Sequence, residues 1–282
     1  MKFHMDVSKI IVPDISELGN ALERTTHMCI GAHPDDIEIM AAQGIIKCYD
    51  SQDQWFTGVT LTNGGGSPRG GVYKDVTNEQ MRSIRQKEQE KAANIGEYSA
   101  QILLGYRDLD IKKKDPEKVV QDLVRIFKKT RPEVVYTHNL ADKHDTHVSA
   151  CLRVIEAIRK IPLDAQPGVL FGCEVWRGLD WLSNKDKKVL DCSRKGNIQA
   201  ALLGVHDSQI SGGKRYDLAV QGRNRANATF HETIEVDSSG SLSFAMDMTP
   251  LIRDVNLNPI TWVKQRILNF ENDILSRIEN FR

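Results

Sequence analysis

Short runs rich in β-branched and other apolar residues recur along the chain at 28–32, 55–62, 101–104, 133–137 and 169–175. Longer stretches of helical period separate them. Ile37, Met40, Ala41, Gly44, Ile45 and Cys48 keep to one helical face, as do Val119, Leu123, Ile126 and Phe127, and then Val148, Cys151, Leu152, Ile155 and Ile158. Parallel strands need connections long enough to hold a helix, so this alternation predicts an α/β fold, a mostly parallel sheet with helices on both faces. A charged helix is expected over 83–95, stopped at Gly96. Beyond about Gly178 the pattern loosens, with helices expected at 197–205 and 262–278. The whole chain, 1–282, reads as one α/β domain, with a core at about 27–178 and a C-terminal extension at about 179–282 that caps the sheet.

The bulk properties narrow the function classes. Thirty-eight basic side chains balance 38 acidic ones, and the lysine clusters at 112–114 and 185–188 are short and interrupted or flanked by Asp, so no nucleic-acid partner is expected. The five cysteines are widely spaced and form no CxxC pair, which fits small core residues of a reduced compartment rather than disulfides or a thiolate metal site. The N-terminus has no continuous apolar stretch and no run suffices to span a membrane, so the expected location is cytoplasmic. The loop at 63–73, NGGGSPRGGVY, contains neither GxxxxGK[ST] nor GxGxxG. It reads equally as a flexible connection or as a substrate-covering loop beside a strand end.

One stretch concentrates ionisable chemistry. Ala32-His33-Pro34-Asp35-Asp36-Ile37-Glu38 follows the first expected strand and opens a helix, where open parallel sheets bind ligands. Asp35 or Asp36 can cap that helix, but capping leaves the histidine unexplained. His33 and Asp36 offer the nitrogen and oxygen that a borderline divalent metal takes, and a turn lets groups three residues apart converge. Asp35, left free beside them, can act as a base towards water whose pKa a cation lowers.

Two ligands are too few, and Asp142-Lys143-His144-Asp145-Thr146-His147 follows another expected strand. His147 is the candidate third ligand. His144, one turn earlier, is free to donate a hydrogen bond to developing negative charge, with Asp142 or Asp145 orienting it. His138 reads as a loop or supporting residue rather than a ligand. The polar alternative is an ordinary loop capped by Asp145 or Thr146; two such clusters at two strand ends weigh against it.

With these residues in view, the sequence resembles the PIG-L/LmbE family of zinc-dependent N-acetylglucosaminyl deacetylases. AHPDDIE at 32–38 matches the family's first signature, and His144 and His147 match its later HxxH. Weaker likeness runs through TLTNGGG, RQKEQEKAANIG, KVLDCS and HDSQ, so it covers most of 28–209. The resemblance implies a Rossmann-like fold, His33, Asp36 and His147 as ligands of Zn2+ or of another divalent metal such as Fe2+, Asp35 as general base, and His144 as oxyanion stabiliser or acid. The family often has Asp before the last ligand histidine, where this chain has Thr146. The implied partner is a small amino-sugar-like substrate, with a homo-oligomer possible. Asn63, Gly64, Arg85 or Arg82, His206, and Trp176, Arg177 and Trp181 are candidates for touching it. Each also has an ordinary reading as turn, solvated helix face, helix end or packing residue. Rival readings are amide hydrolysis on another N-acyl substrate and a non-catalytic sugar- or nucleotide-binding protein.

Overall fold

A computed structural model describes residues 1–282. Its eight strands are β1 (Lys9–Ile11), β2 (His27–Gly31), β3 (Phe56–Thr62), β4 (Ala100–Tyr106), β5 (Val134–His138), β6 (Val169–Cys173), β7 (Lys187–Asp191) and β8 (Leu242–Asp247). They form one sheet in the order β1-β4-β3-β2-β5-β6-β8-β7. The five central strands, β4-β3-β2-β5-β6, pair in parallel. β1 joins one edge antiparallel, and β8 and β7 extend the other edge antiparallel.

The five expected strands are all present, shifted by one or two residues at their ends. Side chains along them alternate between two cores. Met28, Ile30, Val59, Leu61, Ile102 and Val135 pack on one face, and Cys29, Phe56, Tyr136 and Cys173 on the other. Burial on both faces explains why these strands read as continuous apolar runs rather than as alternating ones.

The expected helices are also found, with differences that have local causes. The first is broken at Ala41 into Asp36–Met40 and Ala42–Cys48. The charged helix starts earlier than expected, at Asn78–Ile95, because Thr77 and Gln80 form a reciprocal capping box. The remaining three expected helices are Glu117–Thr130, Asp145–Arg159 and Gly196–Gly204, and the terminal one spans Pro259–Asn280. Helix Tyr216–Phe230 and strands β1, β7 and β8 were not expected. β1 and β7 are short edge strands, β8 lies between β6 and β7, and the polar helix carries only a weak apolar stripe.

From β2 the chain runs outward to β3 and β4, whereas β5 and β6 lie on the opposite side of β2. The carboxyl ends of β2 and β5 therefore flank the switch point of the sheet, where the flanking connections diverge and leave a crevice.

Two residues report on how tightly the helices seat on this sheet. A Cβ added at Gly44 would lie 2.6 Å from the ring of Tyr136. Alanine gains about 1 kcal/mol of helix propensity over glycine, but overpacking costs about 1–3 kcal/mol. Gly44→Ala is therefore expected to lower the urea midpoint, with Gly44→Ala/Tyr136→Leu recovering it in part. His27 is buried at the start of β2, and burial with the nearby Lys47 charge lowers its pKa to about 4. The unfolded chain then binds the extra proton first, so this contribution is intact above about pH 6.5 and is lost as pH falls towards 4, at about 1.4 kcal/mol per unit of pKa depression. His27→Leu should flatten the acid side of the stability profile; an unchanged slope refutes this assignment.

Candidate active site

The turn after β2 holds an unusual backbone. Asp35 has φ 101° and ψ −30°, a conformation that costs an L-residue strain. It is held there from three sides. The Asp35 backbone N–H donates to Gln89 Oε1 at 3.2 Å. Arg85 Nη2 lies 3.1 Å from Asp35 Oδ2 and also donates to the Pro34 carbonyl. Asp35 does not cap the helix that follows, and Asp36 turns back instead, its Oδ2 accepting the His33 N–H at 2.7 Å.

The second cluster is set by Asp142. Its Oδ1 accepts the His144 N–H at 3.0 Å and its Oδ2 the Trp176 N–H at 3.1 Å. His144 itself, rather than Asp145 or Thr146, caps helix Asp145–Arg159: its Nδ1 accepts the Thr146 N–H at 3.2 Å. With Nδ1 an acceptor, neutral His144 carries its proton on Nε2. Burial and the neighbouring His147 and His33 lower its pKa, favouring that neutral form. Neither aspartate bonds the His144 ring: Asp145 is exposed, and Asp142 Oδ2 faces His147 Nδ1 at 3.7 Å.

These turns bring His33, Asp36 and His147 together. His33 Nδ1 is 3.2 Å from His147 Nε2 and 3.3 Å from Asp36 Oδ2, and His147 Nε2 is 3.4 Å from Asp36 Oδ1. Ligands about 2.0–2.1 Å from a tetrahedral zinc are separated from one another by roughly 3.3 Å. Two imidazole nitrogens and a carboxylate facing one another at this spacing are acceptors that a proton or a cation between them satisfies. The outer nitrogens meet carboxylates, Asp108 at 3.4 Å from His33 Nε2 and Asp142 near His147, which is the support that metal-bound imidazoles receive. The residues present fit a divalent metal with mixed nitrogen and oxygen ligands.

Asp36, His138 and His147 also bring ligand-type atoms within 4.8 Å of one another. His138 Nε2, however, accepts the Ala32 N–H at 2.9 Å, so its lone pair is engaged. Burial and His147 lower the His138 pKa to about 4. It is a neutral residue at the end of β5, not in a loop, supporting the turn behind the ligands.

The environments separate the two adjacent carboxyls. Burial works against ionising Asp36, but His147 and His138 outweigh it and hold its pKa well below the usual range. For Asp35, burial dominates, and with Arg85 pulling the other way its pKa settles at about 6. Burial would likewise lower His33, but Asp108 and Asp36 reverse it and raise its pKa to about 9, so the site favours positive charge at that position.

A cleft of about 550 Å³ contains these groups, together with Gly64, Gly66, Ser67, Pro68, Arg85 and Trp176. Part of the glycine loop therefore lines the site. Gly64, at φ 65°, sits so close to Arg85 that a Cβ would lie 3.0 Å from its side chain. Arg85 is buried against Asp35, not on a solvated face, whereas Arg82 is exposed. Asn63 and His206 do not line the cleft: Asn63 Oδ1 accepts the Gly65 N–H, and His206 Nε2 meets Glu38 Oε2 at 3.1 Å. Trp181 packs against Phe270, and exposed Arg177 donates to the Ala141 carbonyl. Sequence reasoning missed Asp108, whose only cue is its place just after β4. It also missed the wall supplied by Lys214, Arg215, Tyr216 and Arg223. A larger depression of about 870 Å³ near Lys2, His4 and Arg125 gathers no comparable ligand set.

Purified protein should bind about one equivalent of divalent metal. His33→Ala and His147→Ala should abolish that binding in elemental analysis while His138→Gln retains most of it; the reverse ranking would move the site to His138.

Comparison with known proteins follows the same residues. Residues 28–158 match the family described as PIG-L, GlcNAc-PI de-N-acetylase. A probable N-acetyl-alpha-D-glucosaminyl L-malate deacetylase 2 from Bacillus anthracis is 28% identical over 136 residues, 48% of this chain and 60% of that protein, so the match falls short of the relative's full length. In fold, the chain is similar to N,N'-diacetylchitobiose deacetylase from Pyrococcus horikoshii (TM-score 0.59, 19% identity, 81% of this chain and 87% of that one). It is similar also to 4-carboxy-2-hydroxymuconate hydratase from Pseudomonas putida (TM-score 0.57, 17% identity, 79% and 95%). The matched stretch, residues 28–158, is the one that carries His33, Asp35, Asp36, Arg85, Asp108, Asp142, His144 and His147.

Proposed function

We propose that the protein is a metal-dependent N-deacylase that removes an acyl group, in the simplest case acetyl, from the nitrogen of an amino-sugar-containing molecule, with zinc as the metal. The observation that carries this reading is the division of labour between neighbouring carboxyls. Asp36 is a permanent anion among imidazoles, and Asp35 is a weaker acid aimed at the same cleft but held off the ligand triangle by Arg85. The resemblance of the domain to deacetylases of acetylated amino sugars supports the substrate class.

His33, Asp36 and His147 would hold the cation, which when bound acts as a Lewis acid towards a carbonyl and lowers the pKa of water. Asp35 takes a proton from water as the water oxygen adds to the acyl carbon, using the carboxylate oxygen that Arg85 does not engage. His144 donates its Nε2–H to the negative charge developing on the carbonyl oxygen. Asp35 then returns its proton to the amine nitrogen as the C–N bond breaks, giving the carboxylic acid and the free amine. His144, kept neutral and with Nδ1 tied to the helix, is suited to donate a hydrogen bond rather than to cycle a proton.

Asp35→Asn should keep its metal and lose roughly 10²–10⁴ in kcat for acetate release; a zinc-loaded Asp35→Asn enzyme with full turnover sinks the mechanism. The ionised form of Asp35 is the active one, so activity should fall as pH drops through about 6. Arg85 lowers the Asp35 pKa, so Arg85→Met should displace that acid limb to higher pH.

A further inference from the structure

We infer that helix Pro259–Asn280 is a pairing element: its outward apolar face is covered by the same helix of a second copy of this chain, running antiparallel about a two-fold axis. The pairing is independent of the chemistry in the cleft.

The helix turns its apolar stripe away from the protein. Ile260, Ile267, Phe270, Ile274, Ile278 and Phe281 recur at the three- and four-residue spacing of one helical face. Yet the only buried side chain of the helix, Trp262, lies on another face, with Arg266 over its ring at 3.3 Å and with Asn269, whose amide donates to Asp186 at 2.9 Å. The stripe stays in water, with Ile267 51% exposed and Ile278 57%. A solitary exposed isoleucine is ordinary, but a stripe along the whole of a helix roughly 33 Å long marks an interaction surface. From Glu271 to Arg282 every residue is exposed, and the side-chain bonds of Ser276 and Arg277 both go to Asp273, within the helix. About three turns of helix without tertiary support are marginal in water, so this half calls for a partner.

The charges beside the stripe fit a second copy rather than a lipid surface. Helices that lie on anionic lipid are rich in lysine and arginine, whereas this one balances Lys264, Arg266 and Arg277 against Glu271, Asp273 and Glu279. Lys264 and Glu271 are one heptad apart on the same edge of the stripe, and both are exposed. In an antiparallel pair, such edge positions face their own counterparts across the seam. With the two-fold axis passing between Leu268 and Asn269, Ile267 packs on the partner's Phe270 and each Lys264 faces the partner's Glu271, so one contact is made twice. The stripe is then overlapped from Ile260 to Phe281. Sliding to either neighbouring register that keeps the apolar layers sets Glu271 against the partner's Glu271 or Lys264 against the partner's Lys264, so charge selects the register. A parallel pair would draw on Arg266 to meet Glu271, and Arg266 is held over Trp262 with Asp186 3.9 Å away.

The test is sedimentation equilibrium of the full chain over a concentration series, with circular dichroism to confirm folding. The particle should hold an even number of copies, and Ile267→Asp/Ile274→Asp should halve its mass. Hydrogen exchange over 271–282 should slow as the pair accumulates. Lys264→Glu alone and Glu271→Lys alone each turn two attractions into two repulsions, which should raise the dissociation constant of the pair about tenfold at low salt and less at high salt. Lys264→Glu/Glu271→Lys should restore the original value. These charge variants change only exposed side chains, so they keep the test decisive if the apolar double variant fails to fold. A chain that is monomeric at every concentration, a particle whose mass survives Ile267→Asp/Ile274→Asp, or single reversals that pair as tightly as the double one would each overturn the pairing. So would a monomer that binds vesicles of phosphatidylcholine and phosphatidylglycerol through the same isoleucines, which would give the stripe to a lipid surface.

Discussion

The buried ion pair between Asp35 and Arg85 is the interaction on which fold and chemistry jointly depend. Both side chains are almost wholly excluded from water, and their closest atoms are 3.1 Å apart. Taking two charges out of water costs several kcal/mol each, so such a pair is poor evidence for stability in itself. It makes sense as a device that keeps a carboxyl in the cleft ionisable. Without the guanidinium, burial and the adjacent Asp36 charge would both push that carboxyl towards its neutral form.

Behind the ion pair stands a network that no solvent reaches. Glu38 Oε1 accepts from Gln89 Nε2 and from the Tyr98 hydroxyl, both at 2.8 Å, and Glu38 Oε2 faces His206 Nε2 at 3.1 Å. Burial opposes charging His206, but Glu38 reverses this and raises its pKa, so the pair shares charge rather than leaving a bare carboxylate inside the protein. Gln89 spends its amide nitrogen on Glu38 and its oxygen on the Asp35 N–H. One fixed amide therefore joins the network to the strained turn. Helix Asn78–Ile95 supplies Arg85 and Gln89 one turn apart, on the same face, which is why a helix that looks charged and solvent-facing in sequence has an interior side.

That helix illustrates what the sequence could and could not convey. Strands buried on both faces leave long apolar runs, and the turn after each announces itself when it carries His33 or His144, so the five central strands and the candidate residues His33, Asp36 and His147 are legible from composition and spacing alone. Arg85 and Gln89 are not, because a polar side chain buried by tertiary pairing looks the same in sequence as one in water. His206 and Asn63 show the converse: polar residues near suggestive motifs that the fold turns away from the cleft. β8 and the edge strand β7 pair with each other and, through β8, with β6, partners distant in the chain, and helix Tyr216–Phe230 has too few buried residues to impose a helical period. The wall that this helix builds is for that reason invisible until the chain is folded.

The likeness in fold to both a deacetylase and a hydratase means that the switch point between β2 and β5 supplies only a place for chemistry. Both reactions move a proton from water; they part at what happens to it next. Breaking an amide requires the proton to reach a poorly leaving nitrogen, so the group that removed it must be acid enough to give it back. An ordinary exposed aspartate is too weak a base for the first step at neutral pH, and a fully desolvated one without a counter-ion would stay protonated and never begin. Burial that raises the Asp35 pKa to about 6, with Arg85 preventing it from rising further, places one carboxyl between those failures. The adjacent Asp36, whose pKa is held well below the usual carboxylate range, leaves Asp35 as the carboxyl of the pair able to exchange a proton near neutral pH.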